Sequence, residues 1–450
     1  MKVIIAAMAV VLACAVGPVD AGGTFSATGV DSPRLPDKGA AAAVVTFENK
    51  PYTMVFKLPW AAGYVTAGGV VCLQGYSETF DKKNCTGCAE ICQDTKARYA
   101  RMWIANQSPA RIVVRTRGAL CDRDGKIAHR DLDSKSPYGK GDWADEWFKI
   151  YPDGTCVRTV TIYTGMAAQA EASWGRKGHP FECQETIIQS GSARPPTADI
   201  NVNALTLMNM AGQTKTVSFK PYPQAGEPLK GANIQIVNLK SRFKPFTIVQ
   251  DDDVTISPYR GPDIDRKHIE QRVFVGWPRG EKWGKSYTVA LSHVVDWKFH
   301  KRTENRLTRT YLLGMTQADA QGEVLGVARA WLKAPELKTN SKGYKSLGYD
   351  RTEKAWVIEQ TAPNAAGLTV QIAATKGRPV INPCIIIRNT KRTIASFQQD
   401  GKSIEQGVGL RVGREKKTGR SDLVIWRPMS SIKPVSFAIG FRGSRAPSAK

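Results

Sequence analysis

Between Phe148 and Tyr163 two β-prone runs, Phe148-Lys149-Ile150-Tyr151 and 155–163, are joined by Pro152-Asp153-Gly154. Pro presets φ and Gly accepts the positive φ of a tight reversal, so the spacing predicts an antiparallel hairpin. Similar runs recur at hairpin spacing over 43–47, 53–58, 100–104, 111–117, 185–189, 216–219, 234–238 and 246–249. Ile112, Val113 and Val114, β-branched and bracketed by Arg111 and Arg115, suit a strand better than a helix. Helical periodicity is confined to 316–332, where Ala318, Val324, Val327, Ala328 and Trp331 can share a face. A polar, turn-prone connector at 333–350 precedes a second series of runs at 355–360, 369–373, 384–388, 410–412, 422–426 and 435–439. Many short strands with turn punctuation predict an all-β chain. The expectation is a large, supersandwich-like β-sandwich over 43–335 and a smaller C-terminal β-sandwich over 345–445.

Met1-Lys2, an apolar run over 3–16 and the small-residue site Val19-Asp20-Ala21 read as a signal peptide over 1–21. Cys14 raises lipoprotein anchoring as a minority alternative, although Leu12 two positions before it fits that signal poorly. The run is too short for a membrane span and no later stretch could serve as one, so a secreted or periplasmic location is expected. Lys+Arg total 64 against Asp+Glu 40, a formal charge of +24. Such a balance suits nucleic acid, but export argues for an acidic polysaccharide or an anionic cell surface instead. The plainer reading is solubility.

The remaining cysteines are Cys72, Cys85, Cys88, Cys92, Cys121, Cys156, Cys183 and Cys384. The run from Cys85 through Cys88 to Cys92 has metal-like spacing, yet no second CxxC and no histidine lie near it. In an oxidising compartment disulfides are the expectation, with no metal site among these residues and Cys384 a buried free thiol.

Asp142-Trp-Ala-Asp-Glu-Trp147, followed by Ile150-Tyr-Pro-Asp-Gly154 and Val157-Arg158, resembles a motif of exported proteins from marine polysaccharide-degrading bacteria. Those proteins are loosely grouped with β-sandwich polysaccharide lyases. Gly87-Cys88-Ala89-Glu90, Arg98-Tyr99, Gln184-Glu185, Ala204-Leu-Thr-Leu207, Trp277-Pro278 and Asp422-Leu-Val-Ile-Trp426 extend the resemblance over most of 45–440. Where that pattern has an aromatic-Arg-Gly turn, this chain has Phe56-Lys57-Leu58-Pro59, so that arginine has no counterpart. The resemblance implies carbohydrate chemistry and leaves the reaction open.

A polyuronate lyase must neutralise a substrate carboxylate, remove the acidified C5 proton and protonate the leaving oxygen. Alternation at Arg98-Tyr99-Ala100-Arg101 places Tyr99 and Arg101 on one face, which offers a phenolic base beside a guanidinium. Of five histidines, His179 in a turn and His293 on a strand edge are the candidate bases. His129, ahead of Asp131 and Asp133, reads as a salt-linked loop residue, and His268 and His300 as solvated. Lys240, Arg242 and Lys244 on one strand face, with Phe243 opposite, and Arg98 suit acidic-sugar binding. Trp143 and Trp283 could stack on sugar rings. Each of these also has a purely structural reading, as core, turn or solvated surface.

A glycoside hydrolase would instead draw on Asp145 or Glu146 with Glu182 or Glu185. Calcium at Asp251-Asp252-Asp253 is an option, although no EF-hand loop follows. GxSxG, HExxH and phosphate-loop motifs are absent. The sequence therefore points to cleavage of a uronic-acid or sulfated polysaccharide by β-elimination. A hydrolase and a non-catalytic carbohydrate-binding surface protein are the alternatives.

Overall fold

The computed structural model describes residues 24–31, 40–58, 62–75, 77–169, 181–189, 196–218, 229–250, 256–258, 288–294, 301–317, 320–365, 367–417 and 419–442. The signal-peptide segment, His179, His268, His300, Trp283 and Asp251 to Asp253 lie outside them. The fold is almost all β, as the periodicity predicts, and divides into two compact units. The first comprises 1–105, 113–148 and 154–320; the second takes 106–112, 149–153 and 321–450.

The first unit is built on an eight-stranded and a ten-stranded sheet. In the eight-stranded sheet Ser26–Asp31, Ala40–Thr46, Tyr52–Lys57, Gly63–Thr66 and Val71–Leu73 form a meander, followed by Glu185–Gln189, Thr288–Val294 and Ile256–Pro258. The ten-stranded sheet runs from Thr214–Val217 through Ile200–Met208, Ile234–Leu239, Phe243–Val249, Arg306–Gln317, Cys156–Tyr163, Trp143–Ile150 and Ile112–Ala119 to Arg101–Gln107; Lys301–Thr303 pairs beside Arg306–Gln317. Their inner faces meet through aromatic edges, with Phe56 at 5.0 Å from Phe148 and Tyr52 at 5.5 Å from Phe243 between ring centroids. T-shaped pairs of this kind add to the area they remove from water.

Alternation along Trp143–Ile150 sends Ala144, Glu146 and Phe148 to the inner face. Glu146 is tolerated there because Arg158 forks onto it, with Nε to Oε2 at 3.0 Å and NH2 to Oε1 at 2.9 Å, and Ser77 adds a hydroxyl at 2.8 Å. Trp143, Asp145 and Trp147 point to the other face, which carries the site described below. The predicted turn forms with Gly154 at φ +86°, and a Cβ there would collide with the Tyr52 hydroxyl.

The second unit has two five-stranded sheets. One contains Leu368–Ile372, Val435–Phe441 and Ile394–Gln399; the other contains Ala355–Gln360, Cys384–Arg388 and Arg420–Trp426. Their shared core holds Trp356, Ile358, Ile385, Ile387, Phe397, Phe437 and Ile439, each at most 3% exposed. Helical periodicity begins later than the sequence suggests. The residues up to Gln317 complete a strand, and the helix spans Gln321–Leu332 with Val324, Ala328 and Trp331 buried.

Disulfides do not form in this structure: all eight cysteines after Cys14 are free thiols, seven of them buried. The local geometry gives two of these thiols other partners. Cys85 donates to the Lys126 carbonyl at 3.1 Å and Cys92 to Glu90 at 2.9 Å. Burial pushes the Cys384 thiol up to about 12, in keeping with an inert core residue.

Candidate functional site

The outer face of the ten-stranded sheet gathers cations and aromatic rings from neighbouring strands. Trp103, Arg115, Arg117 and Trp147 are each half-buried there. The Arg115 guanidinium lies 4.8 Å from the Trp147 ring centroid and 5.5 Å from that of Trp103. Arg117 lies over Trp103 at 5.2 Å and Tyr138 at 4.7 Å. Cations held over aromatic faces at these distances gain from the ring quadrupole. Arg115 forks onto Asp145, with Nε to Oδ1 at 2.9 Å and NH2 to Oδ2 at 2.7 Å, and its NH2 also donates to the Tyr138 hydroxyl at 2.6 Å. Tyr138 in turn donates to Asp145 Oδ2. Burial, reinforced by Asp145, holds the Tyr138 phenol above its usual range, while Arg115 pulls the other way. The phenol is therefore neutral at physiological pH and poised between a cation and a carboxylate.

The cluster continues along the sheet. Tyr138 packs on Trp143 at 5.7 Å and on Tyr163 at 5.7 Å, and Arg306 lies 5.1 Å over Tyr163. Threonine pairs extend the polar face, Thr159 with Thr310 and Thr161 with Thr308. Arg forks and flat rings are the groups that bind carboxylate or sulfate and the apolar faces of sugars. Sequence reasoning did not single out Arg115, Arg117, Trp103 or Tyr138. The two arginines at a spacing of two, on a strand that was predicted, were the available signal.

A second cluster sits on the hairpin of Glu78–Asp81 and Gly87–Glu90. Ligand atoms of Glu78, Cys88 and Glu90 lie within 4.8 Å of one another, so these residues could hold a metal ion. Beside them Glu182 is 2% exposed and faces His293, whose Nδ1 is 3.4 Å from its Oε1. Burial raises the Glu182 carboxyl above its usual range, against the effect of His293. Nearby, His129 adopts φ +49° and sets Nδ1 2.6 Å from Oδ2 of fully buried Asp142, while its backbone N–H donates to Asp81 at 2.7 Å. Burial pulls the His129 pKa down, but the bond to and charge of Asp142 outweigh it and leave it raised. Asp142 is raised by its burial.

The structure places the other predicted residues as follows. Tyr99 donates its hydroxyl to the Gly125 carbonyl at 2.9 Å and packs edge-on to Trp143 at 5.8 Å, which joins it to the Tyr138 cluster. Arg101 donates to the carbonyls of Ala97, Arg98 and Ala100, and Arg98 to that of Asp124. Trp143 is 6% exposed, a correction to its expected role as an open stacking platform; Tyr99 and Tyr138 cover it. Lys240 and Arg242 lie in the turn between Ile234–Leu239 and Phe243–Val249, and only Lys244 is on the strand, so the three do not share a strand face. His293 is on Thr288–Val294 and is, among the described residues, the predicted histidine base brought to a carboxylate. Asp145 and Glu146 point to opposite faces, each onto its own arginine.

Among the described residues no helix is long and apolar enough to cross a membrane. No family model matches this chain, and no curated protein matches it. Among solved structures, galactose 1-epimerase from Lactobacillus acidophilus NCFM is similar over 65% of this chain and 99% of its own, at 7% identity and a TM-score of 0.29. A polysaccharide lyase is similar over 94% of this chain and 45% of its own, at 10% identity and a TM-score of 0.20. Likeness at these TM-scores is too slight to carry a functional reading, which rests instead on the residues above.

Proposed function

We propose that this protein binds an acidic polysaccharide along the Trp103–Arg115–Arg117–Tyr138–Trp147 face and cleaves it by β-elimination. The observation that carries the reading is the Tyr138 hydroxyl held between Arg115 and Asp145 beside a second arginine lying over aromatic rings. Arg117 pairs with the uronate carboxylate and draws charge from C5, which acidifies its proton. As Tyr138 passes its own proton to Asp145, its oxygen takes the C5 proton. The C5 electron pair forms the C4–C5 double bond and expels the glycosidic oxygen. Tyr138 then hands that proton to the leaving oxygen and recovers its first from Asp145, so the protein ends unchanged. The export signal expected from the sequence and the net charge of +24 favour the same class of substrate.

The test is a screen of the purified protein on alginate, ulvan, pectate, glycosaminoglycans and fucoidan, followed by ultraviolet absorbance. Rising absorbance from the unsaturated sugar is expected. New reducing ends without absorbance would replace elimination with hydrolysis. Retention on an immobilised polysaccharide with neither signal would leave a binding protein, and no retention at all would sink the reading.

A further inference from the structure

The hairpin Glu78–Asp81/Gly87–Glu90 carries residues that the saccharide face does not use. In its register Glu78 lies opposite Glu90 and Phe80 opposite Cys88. Glu78 is also bridged on its other side to Glu182, with reciprocal backbone bonds of 2.8 and 2.9 Å. Cross-strand partners share a face, so Glu90, Glu78 and Glu182 form one lateral row, and Cys88, two residues from Glu90, joins them. Like charges directly opposite one another are destabilising, all the more so when shielded from water.

A second buried acid stands at the end of the row. Glu182 is 2% exposed, its Oε1 accepts no hydrogen bond, and His293 Nδ1 lies 3.4 Å from that oxygen. The Cys92 thiol donates to Glu90 Oε2 at 2.9 Å and so orients that carboxylate. We propose that Glu78, Cys88 and Glu90 ligate a zinc ion, with Glu182 and His293 beside them as the outer pair that completes the site.

The donor set selects the metal. A thiolate disfavours calcium and magnesium, which take oxygen ligands, whereas sulfur, carboxylate and imidazole together suit zinc. The ligand atoms lie within 4.8 Å of one another. Zinc bonds of about 2.0–2.3 Å would draw them closer, a movement within the reach of rotamer changes in two glutamates and a cysteine. The CxxC spacing contributes only Cys88, because the Cys85 thiol is turned to the Lys126 carbonyl. Binding releases the Cys88 thiol proton to solvent.

The full-length protein, stripped by chelator and kept reduced, is titrated with Zn2+ against a chromophoric chelator, and bound metal is measured by elemental analysis. One zinc per chain is expected, with Cys88→Ser and Glu90→Gln each weakening binding by about tenfold or more. Replacement by Co2+ should give a near-ultraviolet thiolate charge-transfer band that Cys88→Ser abolishes. Should Cys88→Ser fail to fold, the wild-type cobalt band and Glu90→Gln decide. Wild-type affinity in folded Cys88→Ser, the lack of a thiolate band, or Cys88 in a disulfide in the protein as isolated would each overturn the site. None of these readouts depends on polysaccharide cleavage.

Discussion

Arg111 closes a two-pronged bond on Glu415, with Nε to Oε1 at 2.7 Å and NH2 to Oε2 at 2.6 Å, across 304 residues of sequence. Its remaining nitrogen reaches Glu353 at 2.7 Å and the Tyr151 hydroxyl at 3.2 Å. At 1% exposure Arg111 sits in a buried charge network in which it answers two carboxylates, with Lys149 Nζ also 3.1 Å from Glu353. Arg111→Ala leaves both glutamates buried without it and should cost about 3–5 kcal/mol of stability. Chemical denaturation of the second unit checks this, and Glu353→Gln/Glu415→Gln in the same background should recover part of the loss.

On the saccharide face, Arg115→Ala removes the fork on Asp145, the cation over Trp147 and the donor to Tyr138. Affinity for an acidic polysaccharide should fall about tenfold, in line with the loss of a charge-assisted pair. Retention on an immobilised polyuronate across a salt gradient measures it. An unchanged elution position would remove Arg115 from the binding surface.

Tyr138→Phe keeps the ring packed against Trp143 and Tyr163 and deletes only the hydroxyl. Elimination should drop by about 100-fold or more, the scale of a lost proton-transfer group, with polysaccharide retention preserved. A parallel loss of retention would assign Tyr138 to binding instead.

The His129–Asp142 pair makes stability depend on pH. Both groups are raised in the folded state, so the folded chain holds protons more tightly than the unfolded one and stability falls as pH rises. The His129 contribution is complete below 6.5 and disappears as pH climbs through its raised value, leaving a buried Asp142 charge behind. Melting temperatures followed upward from pH 6 should decline, and His129→Asn should flatten that slope. A slope that His129→Asn leaves unchanged would place the dependence on other groups.

Gly154→Ala should cost about 1–3 kcal/mol, since it meets both a positive φ and the Tyr52 hydroxyl. Thermal unfolding measures it, and Tyr52→Phe in the same chain should relieve the contact while leaving the backbone strain.

Local patterns were enough for much of this architecture. The strands Cys156–Tyr163, Glu185–Gln189, Ala355–Gln360 and Cys384–Arg388 fall where β-branched runs and turn residues predict them. Their burial depends on alternation, which the sequence displays directly. The sites were less legible because lateral pairing assembles them. Glu78 meets Glu90 through a hairpin and Glu182 through a bridge more than a hundred residues away, neither of which a linear motif records. Arg115 and Arg117 were visible as a strand flank, but the rings that give them meaning come from Trp103, Tyr138 and Trp147 on separate segments. Tyr99 and Arg101 show the converse: adjacent charge and phenol in sequence, each satisfied by nearby carbonyls.

The second unit borrows 106–112 and 149–153 from the middle of the chain. On a ribosome this imposes a wait. After Arg111 is made, another 304 residues must be synthesised before Glu415 exists, roughly 15–60 s at ordinary elongation rates. During that interval the guanidinium has no built pocket, and the second unit cannot be completed until nearly the whole chain has emerged. Neither unit can therefore be released as a continuous fragment, and a stop codon near residue 320 would strand both borrowed segments without the sheets that shelter them.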